Sequence, residues 1–133
     1  MCSLTGDQFR DRTAALLRTR YENVRTEIQL KAKKADICFE IKFDPRRVIR
    51  AAAECKHWAK VITRDDVIGI LSEYQAAINN KDIDELWIIS NKTPAPGARD
   101  YVDTISHAQI MTSLEFEQSI IDFNPAARPA APR

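Results

Sequence analysis

Asp36, Glu54 and Lys56 are the residues of this chain whose types and spacing suit chemistry. Glu54 and Lys56 stand two apart in "AAAECKHWAK", a run of small residues that reads as a strand. Side chains two apart on a strand share a face. A carboxylate and an ammonium so placed make either a surface ion pair or half of a metal-assisted phosphodiester site. What decides between them is whether a second acid arrives opposite. The segment "KADICFEIKFD" alternates, with Ile37, Phe39, Ile41 and Phe43 on one face and Asp36, Cys38, Glu40 and Lys42 on the other. Asp44-Pro45-Arg46 reads as a turn, because proline fixes φ and donates nothing to a ladder. A three-residue loop there makes residue 43 face 47. Ile37, Phe39 and Ile41 then meet Ala53, Ala51 and Ile49, and Glu40 meets Arg50, a cross-strand charge pair worth about 0.2–1 kcal/mol. The same register sets Asp36 against Glu54, with Lys56 one step further along that face. A slip by one residue would oppose apolar to charged side chains throughout.

Two facing carboxylates repel unless a cation lies between them. Oxygen donors with no His/Cys cluster suit Mg²⁺ or Mn²⁺ rather than zinc. A divalent ion so held orients a phosphate, lowers the pKa of bound water and offsets developing charge. Lys56 would position the water or stabilise the pentavalent phosphorus. No nucleophilic side chain is needed.

The elements that must hold these groups follow from periodicity. Phe9 to Tyr21 carries Phe9, Thr13, Leu16, Leu17 and Tyr21 at helical spacing, with Thr5 or Asp7 as cap. "RTEIQLKAK" reads as a strand, and "RVIRAAAECKHW" as a third after "KADICFEIKFD". Thr63 with Asp66 resembles a capping box, followed by Val67, Ile70, Leu71, Tyr74 and Ile78 on one helical face as far as Asn79-Asn80. "DELWIIS" has the continuous apolar character of a strand buried on both faces. "KTPAPGARDYVDTIS" turns into another helix, "AQIMT" is a short strand, and Thr112 with Glu115 caps a last helix through Phe123. The expected fold is α/β, with a mixed sheet flanked by helices in the order α-β-β-β-α-β-α-β-α. Residues 124–133, "NPAARPAAPR", read as a Pro/Ala-rich tail or linker after a domain spanning 1–123.

Bulk composition bounds the partners. A chain of 133 residues with 44% apolar side chains is one globular domain by prior. The net charge of +1 offers no global attraction to a polyanion, so binding one requires local clustering of the 20 basic residues. Cys2, Cys38 and Cys55 are odd in number and scattered, and no run of about 18 apolar residues occurs. A reduced, cytoplasmic, non-membrane protein is expected.

Asp36, seventeen intervening residues and then Glu54-Cys55-Lys56 resemble the PD-(D/E)xK signature of the restriction endonuclease-like superfamily. The αβββαβ order around them resembles that superfamily's core. "ELWIISNKTPAPGARDYV" is similar to the strand, turn and helix that follow the site in Mrr-like nuclease domains. The resemblance implies a Mg²⁺- or Mn²⁺-dependent DNA endonuclease, with Asp36 and Glu54 as metal ligands, the Cys55 carbonyl as a third, and Lys56 as the catalytic amine. It further implies a restriction or antiviral defence effector joined beyond the C-terminus to a sensor or NTPase module; a double-strand cut would need two copies, so a homodimer or larger assembly is expected. One position departs. Mrr-like domains carry a Gly-x-x-Phe-Glu helix, whereas "GDQFRD" keeps Gly6 and Phe9 but has Arg10 at the acid, leaving Asp7 or Asp11 as substitutes.

Arg10 favours an alternative, a non-catalytic nucleic-acid-binding or dimerisation module that retains the fold. Other polar residues have plainer readings. His57 is a strand-end polar group or a DNA contact, and Trp58 a core or lid aromatic or a base-stacking ring. Lys60, Arg64 and the "KAKK" run make a solvated face or a phosphate-binding patch. Tyr74 is core by spacing, Gln75 faces the sheet edge, and His107 ends a helix.

Overall fold

The computed structural model describes residues 5–123. Thr5 opens the first helix, α1 (Gly6–Arg18), through a capping box with Gln8, which starts it three residues earlier than its apolar periodicity suggests. It ends before Tyr21, whose ring turns onto Phe39 and Trp87, with centroids 5.2 and 5.7 Å away. Strand β1 (Glu22–Leu30) and β2 (Lys33–Asp44) are joined by the tight turn Lys31-Ala32, so the run expected to extend to Lys33 ends three residues sooner. Ala32 holds φ at 64°, a left-handed conformation that disfavours any residue with a Cβ.

β3 (Arg47–Lys56) pairs antiparallel with β2 from Ile37–Ala53 to Lys42–Val48, including Glu40–Arg50. This is the register the alternating pattern dictates. At the tip the ladder shifts to Asp44–Arg47, so residue 43 does not face 47. The Asp44 carboxylate accepts the Arg46 amide at 2.8 Å, closing a shorter turn than a three-residue loop.

After β3 the chain enters α2 (Arg64–Asn79), opened by the Thr63/Asp66 capping box. β4 (Glu85–Ser90), α3 (Pro96–Asp103), β5 (Ala108–Thr112) and α4 (Ser113–Phe123) complete the order. The sheet runs β1-β2-β3-β4-β5, antiparallel in its first half and parallel from β3 to β5. This is the mixed α/β architecture expected.

The sheet divides the core in two. One face packs Cys38, Ala52, Leu86 and Ile88 under Val67, Ile70, Tyr74 and Ala77 of α2, and Ala98 and Val102 of α3. The other packs Ile37, Phe39, Ala51, Ala53, Trp87 and Ile89 under Phe9, Ala14 and Leu17 of α1, and Phe116 and Ile120 of α4. Ala51, Ala52 and Ala53 are wholly buried in the central strand, where small side chains let helices approach from both sides. β3 is thereby held rigidly up to its last residues, which carry the chemistry.

Candidate active site

Glu54 and Lys56 lie at the carboxyl end of β3, beside the parallel carboxyl end of β4, where Lys56 pairs with Ser90. Ligands gather at such edges in open parallel sheets. β3 leaves the sheet after Lys56, two residues before the expected end. The Asn91 side chain takes over there: its Oδ1 accepts the Trp58 amide and its Nδ2 donates to the Trp58 carbonyl, both at 3.0 Å.

Glu54 is 3% exposed, and a carboxylate so desolvated requires partners. Tyr74 of α2 donates its hydroxyl to Oε1 at 2.6 Å. Lys56 Nζ lies 2.9 Å from Oε2, and Lys33 Nζ lies 3.8 Å from the same oxygen. Burial and the Glu54 charge push the Tyr74 phenol far above its usual range, so it remains a donor.

Asp36 lies six residues before Lys42 on β2, half-buried, its Oδ2 accepting the backbone amide of Cys55 at 2.9 Å. The two acids are therefore drawn together through the β3 backbone. Burial raises the Asp36 pKa most, and the Glu54 charge raises it further. The Cys55 amide and the ammonium groups of Lys56 and Lys33 partly oppose this. Burial drives the Cys55 thiol up to about 12, so its sulfur stays protonated and any metal contact from this residue falls to its carbonyl.

Among the described residues no three His, Cys, Asp or Glu side chains gather around one point. The carboxylates that interact here, Asp36 and Glu54, are hard oxygen donors of the kind that fits Mg²⁺ or Mn²⁺. Asp36, Glu54 and the Cys55 carbonyl are the groups that would hold such an ion.

Arg10 makes its ion pairs with acids of α1 and β1. Its guanidinium binds Asp11 at 3.0 Å, Glu27 at 3.1 Å and Asp7 at 3.4 Å. Asp7 and Asp11 are thus both engaged with Arg10 on the exposed side of α1. His57 stacks on Phe9, with ring centroids 5.4 Å apart. Trp58 carries Lys56 and Lys60 ammonium groups 5.0 and 4.6 Å from its ring centre. Gln75 is exposed and bonds Asn79 rather than the sheet edge, and His107 lies between α3 and β5, its carbonyl accepting the Leu86 amide. Sequence reasoning missed three site residues: Lys33, Glu73 and the polar role of Tyr74. The heptad-like spacing located Tyr74 in the core, but a buried tyrosine hydroxyl needs a polar partner, and that was the available signal.

A mixed five-stranded sheet, helices on both faces and this acid–acid–ammonium edge define the restriction endonuclease-like class of fold. The Mrr_cat family model, described as restriction endonuclease, matches residues 1–120. The chain belongs to that family, a family of nuclease domains. Two solved structures share the fold. A protein of unknown function, AF1548, superposes with a TM-score of 0.62 at 12% identity, over 78% of this chain and 58% of that one. The DNA modification-dependent restriction endonuclease AspBHI gives 0.58 at 15% identity, over 82% of this chain and 29% of that one. The chain thus spans 58% and 29% of these two neighbours. No curated protein matches the sequence significantly.

Proposed function

We propose that this chain is a divalent-metal-dependent DNA endonuclease domain that hydrolyses phosphodiester bonds. The observation that carries the reading is the meeting of Asp36, Glu54 and Lys56 at the carboxyl edge of β3, in a chain of a restriction endonuclease family. Bound Mg²⁺ or Mn²⁺ would supply charge neutralisation and an acidified water. Asp36 and Glu54 offer the oxygen ligands, with the carbonyl of Cys55, the residue after Glu54, as a third. Tyr74 fixes the Glu54 rotamer from the core side, leaving the carboxylate aimed toward Lys56. Lys56 supplies an ammonium beside the reacting phosphate, where preorganised positive charge favours the pentavalent state. Lys60 over the Trp58 ring, Lys92 on the Ala59 carbonyl and Arg64 over the Tyr101 ring are proposed as phosphate contacts.

In this reading the domain spans 1–123 and residues 124–133, outside the described residues, join it to a sensor or NTPase module of a cytoplasmic restriction or antiviral defence protein. A double-strand cut calls for two copies, hence a homodimer or larger assembly. Among the described residues no helix is long and apolar enough to cross a membrane.

A second reading, a binding module that has lost catalysis, draws on Arg10 at the helix position where Mrr-like domains keep an acid. Lys56→Met separates the two. For a nuclease, DNA affinity measured in Ca²⁺ changes little, while Mg²⁺-supported cleavage falls by about a hundredfold to a thousandfold or more. Small, parallel losses in binding and residual nicking support the binding module instead.

A further inference from the structure

Lys33 stands outside the Asp-Glu-x-Lys pattern, yet its ammonium reaches the same Glu54 oxygen as Lys56. We infer that Lys33 is a built-in counter-cation of the site: it occupies the side of Glu54 that a divalent ion needs, and metal entry displaces it onto Glu73. This inference rests on the metal-dependent reading above.

The geometry separates the two lysines. Lys56 Nζ is 2.9 Å from Glu54 Oε2, a directed charge-assisted hydrogen bond. Lys33 Nζ is 3.8 Å away, too far for such a bond, so it acts on Glu54 through charge alone. Its nearer carboxylate is Glu73 of α2, with Nζ 3.5 Å from Oε2. The Glu54 side chain is 4% exposed and that of Glu73 is 50% exposed. Lys33 therefore bridges a desolvated acid of the site and a solvated acid at its rim, and lies 5.5 Å from the Tyr74 ring centre. Its base is fixed: it is the first residue of β2, directly after a turn whose Lys31 amide donates to Asp82 Oδ2 at 2.9 Å. A short rotation of the stem leaves Lys33 on Glu73 and opens Glu54, without moving backbone.

Burial gives the arrangement its purpose. A desolvated Glu54 beside Asp36 is a repulsive pair, and the ammonium groups of Lys56 and Lys33 on Glu54 Oε2 offset that repulsion. Lys33 thus substitutes for the missing charge until a divalent ion arrives, and its departure is a cost that metal binding must meet.

Calorimetric titration of Mn²⁺ into the full chain and four variants tests this. Lys33→Met should tighten binding about tenfold or more, the scale of one charge at this range. Glu73→Gln should weaken it, because Lys33 then has Glu54 alone. In the Lys33→Met background Glu73→Gln should have no effect, since Glu73 acts only through Lys33. Lys42→Met, whose ammonium pairs with Glu22 near the far end of β2, serves as the control and should bind like the parent. Equal or weaker binding by Lys33→Met overturns the inference and leaves the metal reading standing. So does a Glu73→Gln effect that persists without Lys33. Absence of Mn²⁺ binding in every protein overturns the metal reading, and the inference with it. Should Lys33→Met fail to fold by circular dichroism, Glu73→Gln alone decides, unchanged affinity counting against the proposal.

Discussion

Removing the Tyr74 hydroxyl leaves Glu54 Oε1 buried without its donor, so Tyr74→Phe is expected to cost about 1.5–3 kcal/mol in urea unfolding, the range for hydrogen bonds to charged groups. A loss under about 0.5 kcal/mol would mean that Oε1 finds another partner. Asp36 makes the opposite demand. Its pKa is raised in the folded protein, first by burial and then by Glu54, so the native state holds its proton more tightly than the unfolded chain does. Stability therefore falls as pH rises from the ordinary carboxylate range through the folded value, and ionised Asp36 is a net cost at neutral pH. Asp36→Asn can still accept the Cys55 amide, and it should melt higher than the parent at pH 7. That gain should vanish as pH drops below about 4, where both proteins are neutral at this position. A gain that persists at low pH would place its origin elsewhere. Asp36, Glu54 and Lys56 were legible because their spacing sits on a clear alternation. Lys33 and Glu73 were not, since their meeting depends on how α2 lies over β2, which no local pattern encodes.

Three of the four described helices open on side-chain caps. Thr5/Gln8, Thr63/Asp66 and Thr112/Glu115 each satisfy backbone amides reciprocally, a chemistry readable from residue type and spacing. The β2–β3 register was equally readable, because every alternative buries charge against apolar side chains. The β1–β2 turn was not. Lys31-Ala32 contains neither glycine, asparagine nor proline, and the left-handed φ of 64° at Ala32 is imposed by the strands on either side. Ala32→Gly should therefore stabilise the protein by about 0.5–1 kcal/mol, the relief of a Cβ clash less the added unfolded-state entropy. A fall in denaturation midpoint would show that Ala32 is unstrained. The same opacity explains why β1 was expected to continue to Lys33.

At the scale of the whole molecule, α4 is the last element that the core requires: Phe116 and Ile120 are 1% and 3% exposed against the α1 side of the sheet. A chain ending at residue 123 should then keep the parent melting temperature. One ending at residue 112 uncovers Phe9 and Trp87 and should lose its cooperative transition in calorimetry. If removing 124–133 lowers the melting temperature by more than a degree or so, the proposed boundary is misplaced. The layer order was legible from the change of period along the chain. The division of β3 between two faces by three buried alanines was not, because alanine carries no preference for either side.

The two tryptophans lie on opposite faces of the sheet, Trp87 buried among Tyr21 and Phe39, Trp58 half-buried under two ammonium groups at the end of β3. They are two optical reporters with separate duties. Emission from Trp87 should register the integrity of the α1–α4 layer, while under the proposed function Trp58 should respond to ions and polyanions bound next to Lys56. A Trp87→Phe protein would carry a single tryptophan, half-buried beside Lys56 and Lys60, which acrylamide or iodide quenching can read selectively at excitation beyond the tyrosine band. The occupancy of the edge could then be followed in real time with no label attached.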